Sequence, residues 1–517
     1  MAEERSIQTL SLPVLPRAIL RSRPVAIALD WYALPLAAAF GLVAALYYVR
    51  APAHLRPIFD DSYITLTFAR NLAETGRLSF DGIHWTTGAT SPLHVLLLAG
   101  LLKLGAAPFF TTIAFGVVCN AALAVGVYLL AWALFRSRLA SLLAALAISF
   151  TSYAALDAGN GLETSLFMAL LAFALASYFL DRSRRGRAVT GVLIALLVLT
   201  RPEGGFMLPA VVVYRWIERP AGEPLRDYVR DCALLAGPGT LAVATLVLYS
   251  LAVSGSIGGT ATAKMRFFRE DEQPLGDKIG AVLYNMGLFL ASIVSLAGLA
   301  ALKLQRRESV LFGLFFLPLV VAYVLLFPGG FGHYFYRYQH PLLPMLAALA
   351  GGGGAYLISV ALAHRDYVVK ALVVAGLVLA VVPMWKQYES WRTTYVQASN
   401  ETYQDLEAMA KDLNAIVRPG EVLAAHDIGA VGYFGRFQVL DTVGLVNPDV
   451  TPYHKGRRFP VYFETVHADY LLTFPDWDLF FFGLDPDNHP ERFQFVKEYP
   501  GGPIRQSPYR LYRVLNP

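Results

Sequence analysis

Long apolar runs recur along the first three quarters of the chain, and short polar or basic segments connect them. A helix needs about 20 mostly apolar residues to cross the hydrocarbon core of a bilayer. The pattern predicts about eleven such spans, at residues 26–49, 111–135, 139–155, 165–180, 188–199, 206–217, 232–253, 279–302, 310–327, 342–362 and 368–385. Residues 92–105 are apolar but shorter, which favours an interfacial or re-entrant helix over a span.

The placement of Arg and Lys predicts the orientation of these spans, because cytoplasmic connections carry an excess of both residues. When the basic tail, residues 1–25, is placed in the cytoplasm, every even-numbered connection is basic; Arg136, Arg182, Arg219 and Lys303 fall on that side. The sequence therefore predicts a multi-pass protein of the cytoplasmic (inner) cell membrane with a cytoplasmic N-terminus. The first outer loop, residues 50–110, then faces the opposite side.

The pattern changes after residue 385. Residues 400–417 place Leu406, Met409, Leu413 and Ile416 at helical spacing, which predicts an amphipathic helix. Short β-like runs follow at 422–425, 438–440, 470–473, 493–497 and 509–514, separated by turn residues. The predicted fold class is an all-α polytopic membrane protein, with a transmembrane domain at 26–385 and a C-terminal extracytoplasmic α/β domain at 386–517.

Composition supports this class and excludes others. The chain is 56% hydrophobic and 16% charged, with a mean hydropathy of +0.48, whereas soluble domains average roughly 25% charged residues. Disordered and disulfide-stapled proteins are excluded, and the two cysteines, Cys119 and Cys232, lie in apolar runs that imply no zinc site. Basic residues beside membrane spans account for the net charge of +5, so no nucleic-acid partner is expected.

Two adjacent carboxylates, Asp60 and Asp61, follow the first span by about ten residues. Such a pair beside a membrane can bind a divalent cation or supply a general base. The alternative is that one of them caps a helix over residues 62–73, whose apolar positions form one stripe. Both interpretations are compatible.

Two further outer segments carry carboxylates. Glu163 precedes a span and is either a site carboxylate or a first-turn residue favoured by the helix dipole. Thr200 and Glu203 fit a capping box with a proline in the first turn. Arg201 and Glu203 could instead pair with each other or face a polar cavity near the membrane surface.

Cations also occur on the outer side, against the positive-inside trend. Lys264 lies in the segment 260–269, where a phosphate partner or a solvated loop would explain the basic residues. His333, Arg337 and Tyr338 lie in a basic, aromatic segment that suits phosphate or sugar recognition or, alternatively, an interfacial aromatic belt. The glycines at 351–354 lie in a span, where close helix packing explains them.

The order of these features resembles the GT-C superfamily of integral-membrane glycosyltransferases, which use polyprenyl-phosphate sugars. The motifs that carry the resemblance are DDSYI at 60–64, FARNL at 68–72, GATSPL at 88–93, GLET at 161–164, RPEG at 201–204, TAK at 262–264 and the segment 337–344. They look most like the mycobacterial arabinofuranosyltransferase branch and its uncharacterised bacterial relatives.

The resemblance implies an inverting transfer of a pentose or hexose from a polyprenyl-phosphate donor. The acceptor would be a hydroxyl of a cell-envelope glycan, glycolipid or protein at the outer face of the bilayer. Asp60 or Asp61 would be the base, with Asp60 slightly preferred, and Lys264, Arg337 and His333 would meet the leaving phosphate.

The remaining residues of the implied site are Tyr338, Glu163, Arg201 and Glu203, which would shape it or contact substrate. Some members of the superfamily bind a divalent cation (Mg, Mn or Ca) and others do not; Asp61 would be a ligand if one is bound.

Two other classes of protein compete with this interpretation. Transporters and flippases place ionisable groups near the bilayer midplane, often in paired halves, whereas here they cluster at loops and the halves do not match. A non-enzymatic membrane scaffold would have no need of the Asp60–Asp61 pair beside an interfacial helix.

Overall fold

The computed structural model describes residues 32–257, 259–502 and 507–515. The predicted basic tail and the start of the first predicted span lie outside the described residues. The helices of the membrane part and the loops between them are α1 (Ala33–Val49), α2 (Asp60–Thr75), α3 (Pro92–Lys103), α4 (Pro108–Phe135), α5 (Arg138–Ser149), α6 (Ser152–Gly159), α7 (Thr164–Leu180), α8 (Arg184–Thr200), α9 (Met207–Ile217), α10 (Leu225–Ser254), α11 (Gly259–Phe267), α12 (Leu275–Leu290), α13 (Ile293–Ala300), α14 (Arg306–Leu326), the one-turn element α15 (His333–Tyr336), α16 (Leu343–Ala363) and α17 (Tyr367–Glu401).

The C-terminal part contains a five-stranded mixed sheet and short helices. Its elements are α18 (Ala408–Ile416), β1 (Val422–Ala425), α19 (Gly429–Phe434), β2 (Gln438–Asp441), α20 (Thr451–His454), α21 (Phe459–Thr465), β3 (Tyr470–Thr473), α22 (Pro475–Trp477), β4 (Phe493–Tyr499) and β5 (Tyr509–Val514). The strand order is β2-β1-β3-β5-β4. Strand β1 is parallel to its neighbours β2 and β3, and β5 is antiparallel to β3 and β4. All five predicted β-like runs are strands.

Five of the described helical stretches are long and apolar enough to cross a membrane: Pro108–Phe135, Leu225–Ser254, Ile293–Leu326, Pro328–Ala363 and Tyr367–Ile416. The pair α5 and α6, bent by 57°, adds a sixth if it is counted as one span, and α1, α3 and α7 are shorter apolar helices. The apolar helices agree with a membrane protein. They do not confirm the predicted number of about eleven spans, which stays a prediction.

Two predicted spans are interrupted where the sequence offers a helix cap. The run 139–155 breaks between α5 and α6, where Thr151 accepts a hydrogen bond from the N–H of Ala154 and starts a new helix. The run 279–302 breaks in the same way at Ser292, which caps α13. A hydroxyl that satisfies an unpaired N–H makes such a break inexpensive inside an apolar run.

Helices α2 and α3 share one hydrophobic core with the C-terminal domain. Tyr63 and Phe68 of α2 and Leu98 of α3 pack in the same buried cluster as Leu413 of α18 and Leu423 of β1. The predicted amphipathic helix is therefore confirmed, since Leu406, Met409 and Leu413 supply its buried face. This shared core fixes the start of α2 against the C-terminal domain.

The glycines in α16 pack closely against neighbouring helices, as predicted. A Cβ atom on Gly351 would collide with the carbonyl oxygen of Ala140 in α5, and one on Gly352 would collide with the ring of Phe135. By contrast, a Cβ on Gly376 of α17 would have no neighbour within 4 Å.

We expect Gly351→Ala to destabilise the protein by about 1–3 kcal/mol, because the backbone of α5 cannot yield to the added methyl group. Gly376→Ala is the matched control and should be neutral or slightly stabilising. Thermal unfolding of the purified variants in detergent measures both effects. Equal unfolding midpoints for the two variants would contradict the close approach of α16 to α5.

Candidate active site

The two aspartates at the start of α2 point to different partners. Both oxygens of Asp60 accept hydrogen bonds from backbone N–H groups at the start of α19, from Gly429 at 2.6 Å and from Ala430 at 2.8 Å. A side chain at position 429 would collide with the backbone of Asp60, so glycine permits this approach. Asp60 thus joins α2 to the C-terminal domain.

The predicted helix cap at this position is wrong. The residue before α2 is Phe59, which makes no side-chain cap, and both carboxylates lie within the first helical turn. The C-terminal domain supplies the partners of Asp60 from about 370 residues away in the chain, a contact that local spacing does not encode.

Asp61 faces a group of cations. Its Oδ2 lies 3.7 Å from Nζ of Lys264 in α11, and the two side chains are 20% and 16% exposed. Burial alone would raise the pKa of Asp61, but the charges of Lys264 and Arg337 outweigh burial and lower it. Asp61 is therefore held ionised beside these cations.

Arg201 is the centre of a second charged group beside the first. Its guanidinium lies 2.7 Å from Glu203 and 3.6 Å from Glu163. Glu203 also accepts a hydrogen bond from the hydroxyl of Tyr323 at 2.8 Å. Burial raises the pKa of Glu203, but Arg201 outweighs it and brings the pKa to about 2.

These contacts settle the alternatives for the two outer segments. The pairing of Arg201 with Glu203 is confirmed, whereas the capping box is wrong because Thr200 donates to the carbonyl of Leu196 instead. Glu163 precedes α7 without capping it and accepts from Ser91 at 3.4 Å as well as pairing with Arg201.

Arg337 lies between the two charged groups. It is 6% exposed, and its Nη2 donates to the hydroxyl of Tyr338 at 3.2 Å. Tyr338 also stacks under Arg201, with the guanidinium carbon 4.7 Å from the ring centroid. Among the described residues, none accepts a hydrogen bond from Nε or Nη1 of Arg337. A buried guanidinium with two free donors is a strong binding group for an oxyanion.

The described residues do not fit a resident divalent cation. Within the described ranges, no group of three or more His, Cys, Asp or Glu side chains could hold a metal ion. Asp61, the candidate ligand, is accompanied by Lys264 and Arg337 rather than by further carboxylates.

The structure brings the predicted residues together at one place. One connected set of side chains contains Asp61, Lys264, Arg337, Tyr338, Glu163, Arg201, Glu203 and His333. Asp60 lies one residue away, on the side of the C-terminal domain. The sequence pattern did not single out Tyr334, which helps to lower the pKa of Asp61, or Tyr323, which donates to Glu203. Tyr334 lies in the basic, aromatic segment that contains His333 and Arg337, but nothing in the sequence of that segment distinguishes it from the neighbouring tyrosines.

Comparison with known proteins gives a fold and leaves the family open. Residues 390–512 match a family described as a domain of unknown function, DUF8728. No curated protein matches the chain.

Similar solved structures cover nearly the whole chain. The oligosaccharyltransferase AglB from Archaeoglobus fulgidus, in complex with an inhibitory peptide and a dolichol-phosphate, is 10% identical with a TM-score of 0.56, over 93% of this chain and 74% of that one. ArnT from Cupriavidus metallidurans, bound to undecaprenyl phosphate, is 15% identical with a TM-score of 0.54, over 94% of this chain and 98% of that one.

The chain therefore has the fold of AglB and ArnT. Membership of the GT-C superfamily and of its arabinofuranosyltransferase branch stays a prediction. At this level of identity, the likeness concerns architecture, and one architecture supports many substrates.

The environment of Asp60 predicts a pH dependence of stability. Burial and the charge of Asp427 raise the pKa of Asp60 from 3.8 to about 7, against the opposing hydrogen bonds from Ala430 and Gly429. Folding thus favours the protonated form, so the stabilisation is complete below the unfolded pKa and is lost as the pH rises through the folded pKa. We therefore expect the thermal unfolding midpoint to decrease as the pH rises from about 4 to about 7.

Asp60→Asn removes the titrating group and should flatten this pH dependence, even if it lowers the midpoint at every pH. Thermal unfolding of the wild type and of Asp60→Asn in the same series of buffers measures how steeply each unfolding midpoint changes with pH. Identical slopes would show that Asp60 does not titrate in this range.

Proposed function

We propose that the protein is an inverting glycosyltransferase that moves a pentose or hexose from a polyprenyl-phosphate donor to a hydroxyl group. The acceptor would belong to a cell-envelope glycan, a glycolipid or a protein at the outer face of the cell membrane. The N-terminus would be cytoplasmic and the C-terminal domain extracytoplasmic. The finer assignment to an arabinofuranosyltransferase is part of the proposal and rests on the sequence motifs alone.

One observation carries the proposal: an ionised carboxylate and unpaired cationic donors meet at the edge of an apolar helical region. Arg337 presents Nε and Nη1 without a described acceptor, and Nζ of Lys264 lies 3.7 Å from Asp61. A lipid phosphate needs such donors for its oxygens and an apolar path for its chain. The neighbouring structures of AglB and ArnT contain dolichol-phosphate and undecaprenyl phosphate respectively, which agrees with this chemistry.

The proposed reaction is a single displacement. The acceptor oxygen attacks the anomeric carbon of the donor while Asp61 takes the hydroxyl proton. The bond between that carbon and the phosphate oxygen breaks, and its electron pair leaves with the polyprenyl phosphate. Lys264 and Arg337 stabilise the charge that develops on this oxygen, and such preorganised cations contribute a few kcal/mol.

We assign the base to Asp61 rather than to Asp60, although the sequence motifs slightly preferred Asp60. Both oxygens of Asp60 already accept backbone N–H groups, which leaves it poorly placed to accept a proton from a substrate. Asp61 is ionised and lies beside the cations that would hold the phosphate. Asp60 would instead fix the start of α2.

The other site residues complete the pocket in this proposal. Tyr338 and His333 would border the phosphate, while Glu163 and Glu203 would hold Arg201 and meet hydroxyls of the sugar or acceptor. Carboxylates paired with a buried arginine suit this role because they keep free acceptor positions after pairing.

Asp61→Asn tests the proposed base. We expect acceptor-dependent transfer to fall by roughly 100-fold or more, because general-base catalysis typically contributes that much. The assay uses the purified full chain in lipid nanodiscs with radiolabelled polyprenyl-phosphate sugars and a panel of envelope glycans, and it follows label transfer together with polyprenyl-phosphate release.

Asp271→Asn is the matched control, since Asp271 is an exposed carboxylate that follows the same α11 segment. Its activity should equal that of the wild type. Full activity in Asp61→Asn would remove Asp61 from the base role. Movement of the labelled lipid across the bilayer without transfer to any acceptor would favour a flippase instead.

Lys264→Ala tests the phosphate site. Loss of a charged hydrogen bond to the donor should raise its KM by roughly tenfold or more, with little change in the unfolding midpoint because Lys264 is partly exposed. Arg266→Ala removes a cation from the same helix without touching the contact to Asp61 and serves as control. An unchanged donor KM in Lys264→Ala would contradict a phosphate contact at this position.

A further inference from the structure

Four buried residues beside the candidate site are joined by hydrogen bonds. We call them the buried circuit: Ser62, Asn160, Asp157 and His340. Ser62 Oγ donates to the carbonyl of Asn160 at 2.7 Å, and Asn160 Nδ2 donates to Asp157 Oδ1 at 2.8 Å. Asp157 Oδ2 lies 2.6 Å from Nδ1 of His340. Each of the four residues is at most 1% exposed, so water does not compete for these bonds.

One end of the circuit joins the segment of Asp61 to that of Glu163. Ser62 immediately follows Asp61, and Asn160 precedes Glu163 by three residues. Gly161, with a φ of 82°, permits the close approach, since a Cβ atom there would lie only 3.1 Å from that of Ser62. The Ser62 bond therefore holds the start of α2 against the loop that leads to Glu163.

The other end of the circuit holds the segment of Arg337. His340 follows Arg337 by three residues in the short 3₁₀-helix Arg337–Leu342, and side chains at this spacing lie on the same face of such a helix. Nδ1 of His340 contacts Asp157, while Nε2 lies 3.0 Å from the carbonyl of Phe335, two residues before Arg337. That carbonyl can only accept, so Nε2 carries the proton of this bond. His340 thus fixes the backbone on both sides of Arg337.

The chemistry of the Asp157–His340 pair favours a role beyond stability. A buried pair of ionisable groups is a weak source of stability, because apolar side chains of similar volume often serve as well or better. Both carboxylate oxygens of Asp157 and both ring nitrogens of His340 have partners. A buried network that is fully satisfied specifies one arrangement of the segments it joins. Here those segments carry Asp61, Glu163 and Arg337.

We propose that Asp157 and His340 are positioning residues that hold the guanidinium of Arg337 in register with Asp61. Nε and Nη1 of Arg337, which have no acceptor among the described residues, are thereby presented to the phosphate of the donor. This inference rests on the proposed function, in which Arg337 binds that phosphate and Asp61 is the base. Hydrogen bonds weaken steeply as their geometry departs from linear, so a small shift of the 3₁₀-helix weakens phosphate binding.

Two substitutions of nearly the same shape test the pair. The amide of Asp157→Asn can accept from Asn160 and donate to Nδ1 of His340, whose Nε2 still donates to Phe335, so every bond of the circuit is kept. Asp157→Leu fills the same space but removes both contacts. The probe is radiolabelled undecaprenyl phosphate, bound to the purified full chain in detergent. Its Kd should stay within about threefold in Asp157→Asn and rise by about tenfold in Asp157→Leu, because the donors of Arg337 are displaced.

The transfer assay separates positioning from a general loosening of the fold. In nanodiscs, the donor KM of Asp157→Leu should rise with the Kd while the acceptor KM stays within about twofold, since only the phosphate contacts are displaced. Tyr388→Phe is the matched control. It removes one buried hydrogen bond, from the Tyr388 hydroxyl to the carbonyl of Ala44 at 2.6 Å. It should keep the wild-type Kd and KM values even if its unfolding midpoint falls.

Ser62→Ala keeps the inference testable if Asp157→Leu does not fold, because it leaves no buried charge without a partner. It frees the start of α2 from the carbonyl of Asn160 and should lower kcat about threefold or more, with an unchanged Kd for the probe. Wild-type binding in Asp157→Leu, equal losses in the two Asp157 variants, or wild-type kcat in Ser62→Ala would overturn the inference. A wild type that binds no undecaprenyl phosphate, or transfers no sugar, would instead overturn the proposed function.

Discussion

Buried charge needs compensating charge, and this constraint organises the outer end of the helical region. Arg201 and Arg337 are 3% and 6% exposed, and an isolated cation at such depth would cost several kcal/mol. Arg201 meets this requirement with Glu203 and Glu163. Arg337 does so only in part, since two of its donors have no described acceptor. These two donors therefore remain available to a further hydrogen-bond acceptor.

The same region depends on the C-terminal domain as well as on the membrane helices. Residues of α2 and α3 share a hydrophobic core with that domain, and Asp60 binds the backbone N–H groups of Gly429 and Ala430. The position of Asp61, one residue further on, is therefore set by contacts that cross between the two parts. A domain matched only to a family of unknown function thus takes part in building the site.

The regular elements could be predicted from the sequence because each has a hydrophobic periodicity or is bounded by turn residues. Alternating runs between turn residues predicted all five strands, and helical spacing of Leu406, Met409 and Leu413 predicted the helix after the last apolar run. Breaks inside apolar runs, such as the one at Thr151, were not predicted. A single cap residue changes the chain direction there without changing the hydrophobic pattern. The two predicted caps failed for different reasons. Asp60 binds the N–H groups of the distant Gly429 and Ala430, whereas Thr200 donates to the carbonyl of Leu196 one turn back in its own helix.

The sequence by itself determined which residue types stand on the loops between apolar helices: paired aspartates, isolated carboxylates and cations out of place for the positive-inside trend. Its motifs also predicted a resemblance to the GT-C superfamily, and the fold shared with AglB and ArnT agrees with that architecture. Only the tertiary structure decided that Asp60 faces the C-terminal domain while Asp61 faces Lys264. It alone paired His340 with Asp157, 183 residues away. Such contacts join distant segments whose local patterns are independent of each other, so neither period nor spacing carries information about them.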